Sequence, residues 1–147
     1  MTKPILTIVR GLPGSGKTTY ARKLAAETGA MLIEPDALLV RGGVYWYTPE
    51  RYAEAKKWSF ELVIDTTNCG GADVVYADVL PKKEDVQGII SQYKYGSYNV
   101  QVTVIDMPLL TVDESMARNK HAVRREDIER MAREWQPWEG GTTNASY

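Results

Sequence analysis

Gly11-Leu12-Pro13-Gly14-Ser15-Gly16-Lys17-Thr18 decides the reading of this 147-residue chain. The stretch fits G-x-x-x-x-G-K-[ST], a loop that wraps phosphate. Its glycines let successive backbone N–H groups turn inward, where they and the start of the next helix bind phosphate oxygens. Lys17 puts a compact positive charge between the β- and γ-phosphates, and the Thr18 hydroxyl is placed to ligate Mg²⁺. The expected binding set runs from Gly11 through Leu12, Pro13, Gly14, Ser15, Gly16, Lys17 and Thr18 to Thr19.

The flanks support the motif. Ile5-Leu6-Thr7-Ile8-Val9 is a short β-branched run of the kind that forms a buried parallel strand. Thr18 to Thr28 is rich in helix formers and ends at Gly29. Strand, glycine loop, helix is the order that phosphate binding needs.

The composition, 44% hydrophobic and 25% charged, is that of an ordinary globular domain. A net charge of −1 gives no global basic field for nucleic acid, although a local basic groove stays open. The single cysteine, Cys69, excludes an internal disulfide or a cysteine zinc cluster and reads as a buried small hydrophobe. No apolar run reaches the ~20 residues that span a bilayer, and a strand begins almost at once, so a cytoplasmic address without a membrane partner is expected.

Ala30 to Ile33 reads as a second strand, ending in Glu34-Pro35-Asp36. Ligands of open α/β sheets bind beyond the carboxyl ends of the strands, so Asp36 stands where an acceptor hydroxyl would meet the γ-phosphate. It can act as general base, or simply cap the following turn. Glu34 is a weaker competitor for the base. Arg41 to Tyr47 is a loop dense in glycine and aromatics, suited to packing or to stacking on an acceptor. Thr48-Pro49-Glu50 starts a helix. Tyr52, Ala55, Ser59, Leu62, Thr66 and Cys69 then recur at helical spacing, so the helix runs from Pro49 to Cys69 and Asp65 is a solvated helix residue rather than a strand-end metal ligand.

Asp73 to Val79 is the third strand. Asp78, near its end, is the candidate to hold Mg²⁺ directly or through water, or else a turn cap. A helix follows from Lys82 to about Tyr93, a turn at Gly96-Ser97, and a fourth strand from Val100 to Asp106. Thr111 and Glu114 form a capping box for a helix to His121. That helix ends in a basic cluster from which Arg118 first, and Arg124 second, can reach phosphate as lid arginines. His121 is either a lid-hinge or acceptor residue, or a surface or packed histidine. Ile128, Met131 and Trp135 stripe a last helix, Trp138 is expected to pack back rather than lie against a nucleobase, and residues 140–147 form a frayed tail after a single domain over 1–139.

GLPGSGKTTYARKLA, Asp36, the Tyr-Thr-Pro-Glu-Arg helix start with Trp58, Asp78, Val-Ile-Asp-Met-Pro, Arg118-Asn119 and Ile128-Glu129-Arg130-Met131 together resemble the P-loop kinases related to the kinase domain of bacteriophage polynucleotide kinase, and the zeta-toxin kinases. The resemblance implies an α/β P-loop NTPase fold: three layers, a central parallel sheet of four to five strands, helices on both faces and a C-terminal helical lid. It implies ATP and Mg²⁺ at Lys17 and Thr18, Asp36 as general base, and Arg118 as a lid arginine. It points to transfer of the γ-phosphoryl to a polynucleotide 5′-hydroxyl or a nucleotide. A small-metabolite acceptor, or an ATP-binding module without transfer, stays open. The chain departs from the group where an arginine normally follows the base closely; the nearest here is Arg41.

Overall fold

The computed structural model describes residues 3–95, 100–119, 123–139 and 143–145. Its first strand, β1 (Ile5–Arg10), is covered on both sides: Leu6 and Ile8 join one apolar layer, Val9 the other, and all three are fully buried. A strand in that position needs a continuous apolar run rather than a one-sided alternation. The glycine loop leads into α1 (Lys17–Thr28), which stops at Gly29 in the left-handed conformation. Then come β2 (Met31–Ile33), a 3₁₀ turn (Pro35–Leu39) and the short strands β3 (Val40–Arg41) and β4 (Val44–Tyr45). The stretch expected as a loop is thus partly a hairpin. Gly42 and Gly43 both take positive φ, 57° and 78°, which a two-residue hairpin turn requires.

Helix α2 (Pro49–Ile64) is capped as expected, with the Arg51 N–H donating to Thr48 Oγ1 at 3.0 Å. A π turn (Asp65–Cys69) extends it, and Asp65 is exposed as the periodicity requires. The inward face follows Ala55, Ser59, Val63 and Thr67, in steps of four. That drift turns Leu62 outward and leaves Cys69 a free, exposed thiol, which corrects the expectation of a buried one. The widened turn absorbs the drift.

The rest of the chain forms β5 (Val74–Asp78), α3 (Lys83–Ser91), a 3₁₀ turn (Gln92–Tyr95), β6 (Val100–Asp106), α4 (Val112–Arg118), α5 (Arg125–Glu134) and β7 (Thr143–Ala145). The strand order is β2-β5-β1-β6-β7. The first four are parallel, and β7 runs antiparallel to β6 with Ala145 opposite Val100. Part of the expected frayed tail therefore forms an edge strand. Lys120, His121 and the Gly96-Ser97 turn lie outside the described residues.

The sheet is the middle of three layers. Ala21 and Ala25 of α1 pack on Val9, Val75 and Ala77. On the other face Val63 of α2 and Val86 and Ile89 of α3 pack with Leu6, Ile8, Val74, Tyr76 and Val102. The register sets Arg10 beside Asp78 on one neighbour and Asp106 on the other, so three charged residues end three adjacent strands beneath the glycine loop.

Candidate active site

A cavity of about 520 Å³ opens at the carboxyl ends of the strands. It is lined by Gly14, Lys17 and Thr18 of the glycine loop, by Asp36, and by Arg118 from α4, residues more than a hundred positions apart in the case of Gly14 and Arg118. Pro13, Gly16 and Thr19 line it too, while Gly11 and Leu12 are buried beneath it as the base of the loop. The loop closes on itself through the Ser15 N–H, which donates to the Leu12 carbonyl at 3.0 Å. Burial lowers the pKa of Lys17, and the carboxylates of Asp78, Asp36 and Glu34 raise it in opposition. Its ammonium therefore stands in a dry site ringed by negative charge, where an anionic ligand gains most from it.

Asp36 is not a helix cap. Glu34 occupies the cap position of the 3₁₀ turn, and Asp36 sits one residue inside it. Its Oδ1 accepts a hydrogen bond from the Tyr45 hydroxyl at 2.8 Å. Burial, and then the charge of Asp36, raise the Tyr45 pKa well above its ordinary value, so the hydroxyl keeps its proton and holds the carboxylate in place. Tyr47 stacks on Tyr45, with ring centroids 6.3 Å apart and planes 10° apart, and lines the same cavity. Tyr45 and Tyr47 thus both pack on each other and face the site.

Asp78 is fully enclosed and does not line the cavity. Its Oδ1 accepts from the Tyr52 hydroxyl and, at 2.8 Å, from the Val79 N–H. Its Oδ2 accepts from the Tyr76 hydroxyl at 3.0 Å and lies 3.6 Å from Lys56 Nζ. Burial and the Asp78 charge together raise the pKa of both tyrosines, so both remain donors. These contacts hold Tyr52 beneath the site, and the Asp78 charge adds negative potential at Lys17.

Glu34 has the opposite character. It contacts the Thr18 hydroxyl, yet its Oε1 is buried without a hydrogen-bond partner. Burial raises its pKa first of all, with Arg22, Thr18 and Lys17 pulling the other way. A buried carboxylate oxygen with spare acceptor capacity beside the P-loop threonine is suited to a cation or to a cation's water. Among the described residues no group of three or more His, Cys, Asp or Glu could hold a metal by itself. Mg²⁺ is normally held by one or two protein groups together with phosphates, so Thr18 and Glu34 fit it.

Helix α4 is fastened to the glycine loop. The Thr111–Glu114 capping box forms, with two reciprocal hydrogen bonds of 3.1 Å. The fully buried Ser115 hydroxyl donates to the Pro13 carbonyl. At Gly14, where φ is +79°, a Cβ would come within 2.6 Å of the Arg118 Cβ, so this approach needs glycine for space as well as for backbone. Arg118 is thereby held at the cavity mouth. Arg124 stands outside the lining, its Nε 3.3 Å from Asp127 Oδ2.

Sequence reasoning passed over Lys56 and Arg10, and it included Tyr45 among the loop aromatics without its hydrogen bond to Asp36. Among the described residues Arg10 is the largest fully buried side chain, tied to Leu80, Asp106 and Gln136. Tyr52 was visible on the inward stripe of α2, but nothing in the periodicity named Asp78 as its partner.

A glycine loop between a buried parallel strand and a helix, an acidic residue after the next strand of the sequence, and a helix that packs an arginine against the loop define a kinase-like P-loop fold. The chain belongs to the AAA domain family AAA_33, whose profile matches residues 6–137. Its fold is similar to that of a chain in the Pnkp1/Rnl/Hen1 RNA repair complex, at 19% identity and TM-score 0.77, over 99% of this chain and 50% of that one. It spans only half the length of that chain. A gluconokinase from Sinorhizobium meliloti 1021 is similar at 16% identity and TM-score 0.62, over 95% of this chain and 79% of that one. Shikimate kinase from Acinetobacter baumannii is similar at 19% identity and TM-score 0.52, over 90% and 73%. No helix of the described residues is long and apolar enough to cross a membrane.

Proposed function

We propose that this chain is an ATP-dependent phosphotransferase whose acceptor is a hydroxyl, in the first place a polynucleotide 5′-hydroxyl or a nucleotide. The observation that carries the reading is one cavity shared by Lys17 and Thr18, Asp36 and Arg118. The glycine loop and Lys17 hold the ATP phosphates. The acceptor oxygen attacks the γ-phosphorus while the bond to the β,γ-bridging oxygen breaks and ADP leaves. Asp36, held by Tyr45, takes the hydroxyl proton. Arg118 meets the charge on the transferring group and, with α4 fastened at Pro13, restricts water. Thr18 and Glu34 would hold Mg²⁺, which offsets phosphate charge when bound. The RNA repair complex among the structural neighbours supports a nucleic-acid acceptor, and the gluconokinase keeps small polyols in the test panel.

The deciding experiment follows label from γ-labelled ATP over DNA, RNA, nucleosides, nucleotides and small polyols. Label on a nucleic-acid or nucleotide hydroxyl supports the proposal. Label released only as free phosphate across the panel overturns it.

Two variants test the donor side. Lys17→Ala removes a charged hydrogen-bond donor to phosphate, so ATP affinity is expected to fall about 10- to 100-fold by calorimetry. Unchanged affinity would remove Lys17 from the site. Glu34→Gln tests the metal assignment. Burial holds the Glu34 proton to higher pH than usual, and Mg²⁺ needs the ionised carboxylate, so Mg²⁺ affinity in the presence of ATP is expected to rise with pH through this raised pKa. The variant is expected to lower that affinity and flatten the pH dependence in a calorimetric titration. A wild-type slope in the variant excludes Glu34.

A further inference from the structure

A second concavity, of about 740 Å³, lies on the other side of the wall that carries Asp36. The wall consists of the 3₁₀ turn, the β3–β4 hairpin and the first turns of α2. Asp36, Tyr45 and Tyr52 line the catalytic cavity from it, whereas Leu38, Arg41, Trp46 and Arg51 line the outer groove. Trp58, about two turns farther along α2 than Arg51, completes the groove. Trp46 is 50% exposed and Trp58 64%. Two indoles so open to water, in a chain with four tryptophans in all, call for an occupant with a flat apolar face.

The charges narrow the occupant. Arg41 and Arg51 face a single carboxylate, Glu54, so the groove carries a positive surplus on a chain whose net charge is −1. The Arg51 guanidinium lies over the Trp46 ring, 5.6 Å from its centroid, so a cation and an indole stand side by side in the groove. Flat π faces alternating with guanidinium forks match the alternation of base and phosphate along a single strand. An apolar helix would use the indoles but leave both arginines facing hydrocarbon.

We propose that this groove binds the unpaired nucleotides that follow the accepting end of a polynucleotide, with bases on Trp46 and Trp58 and phosphates on Arg41 and Arg51. The inference rests on the phosphotransferase reading for the end of the strand, since a terminal hydroxyl at Asp36 brings the following nucleotides across the shared wall. It deepens that reading by making the acceptor a single-stranded polymer rather than a mononucleotide. It also places sequence-independent contacts away from the reacting atoms, because stacking and phosphate pairing read no base edge.

The test uses 5′-hydroxyl oligothymidylate, from a single nucleotide to about eight, titrated into the full chain in the absence of ATP while tryptophan fluorescence is followed. Affinity is expected to climb with length and then level off, and to fall with added salt. Trp58→Ala is expected to weaken binding of the longer oligonucleotides about 5- to 100-fold, and Arg51→Ala to reduce the salt slope, with the affinity for a single nucleotide unchanged. Both side chains are exposed or rim-positioned, so near-wild-type thermal melts are expected and would be recorded alongside. Equal affinities at every length, or variants that bind the longest oligonucleotide as the wild type does, overturn the groove assignment even if label transfer succeeds. Length-dependent binding that both variants weaken supports it even if no acceptor takes label, which would count against the phosphotransferase reading alone. An apolar helical peptide that quenches Trp58 while oligonucleotides do not would overturn the assignment in favour of a protein partner.

Discussion

Asp36→Asn is expected to lower the rate of phosphoryl transfer by about 10²- to 10⁴-fold, the usual contribution of a positioned general base. The amide keeps the size of the carboxylate and can still accept a hydrogen bond from Tyr45, so the hairpin wall keeps its shape. It cannot take the acceptor's proton. ATP is bound by the glycine loop and Lys17, so nucleotide affinity is expected to stay within a few-fold of wild type or to rise, because one of the carboxylates near Lys17 and the phosphates is removed. Single-turnover transfer and calorimetric ATP binding, measured on the same preparation, separate the two effects. Transfer at the wild-type rate would move the base elsewhere, and Glu34 is the next carboxylate along the turn. Tyr45→Phe provides a milder check: it frees Asp36 to rotate, and a smaller loss of rate with ATP affinity intact is the expected pattern.

The second large effect is on stability. Arg10 is fully buried and satisfies three partners at once. Its Nε and Nη2 donate to the Leu80 carbonyl at 3.0 and 2.8 Å, Nη2 to the Gln136 carbonyl at 2.9 Å, and Nη1 to Asp106 Oδ1 at 2.9 Å. Its guanidinium carbon lies 4.5 Å from the ring centroid of Trp135. One side chain on the strand that feeds the glycine loop thus clasps the end of β5, the end of β6 and the segment after α5. Burial lowers the Arg10 pKa and Asp106 raises it in return, so the carboxylate offsets part of the cost of burying the charge. Arg10→Met would leave two carbonyls and part of a carboxylate without donors. Breaking a buried pair in this way typically costs about 3–5 kcal/mol, a large share of the ~5–15 kcal/mol that holds a domain together. A fall in Tm of about 10 °C is expected by calorimetry. The double variant Arg10→Met/Asp106→Leu is expected to recover part of the loss, since replacing both partners removes the orphaned charge, though Asp106 also accepts from the Trp138 N–H at 2.9 Å. A melt equal to the wild type's would show that the clasp carries no net stability.

These two residues differ in how they could be read. Asp36 was legible because it follows a short apolar strand by three positions, and chain order alone brings strand ends to the ligand side of an α/β sheet. Arg10 stands at an equally regular place, the last residue of β1, but its partners are Leu80 and Gln136, separated from it by 70 and 126 positions. No local pattern encodes such a meeting. Asp78 shows the intermediate case. Its place at a strand end was legible, and its partners were not, because Tyr52 and Lys56 reach it only after α2 has packed on the sheet. Cys69 failed for a smaller reason: helical spacing accumulates error over five turns, and steps of four rotate the stripe away from steps of three and four.

The glycine loop is what the sequence determined by itself. Its phosphate cradle is built from consecutive backbone N–H groups, and consecutive residues need no distant partner to agree on a shape. The capping box of α4 and the Thr48-Pro49 start of α2 belong to the same local class, and both form as read. Only the tertiary structure decided what surrounds the cradle. It set Arg118 over Gly14, tied Ser115 to Pro13 across 102 positions, left a buried Glu34 oxygen without a hydrogen-bond partner, and turned one face of the Asp36 wall toward the loop and the other toward Trp46 and Trp58. Side-chain chemistry depends on which charges, donors and apolar surfaces arrive from elsewhere in the chain, and packing alone brings them together.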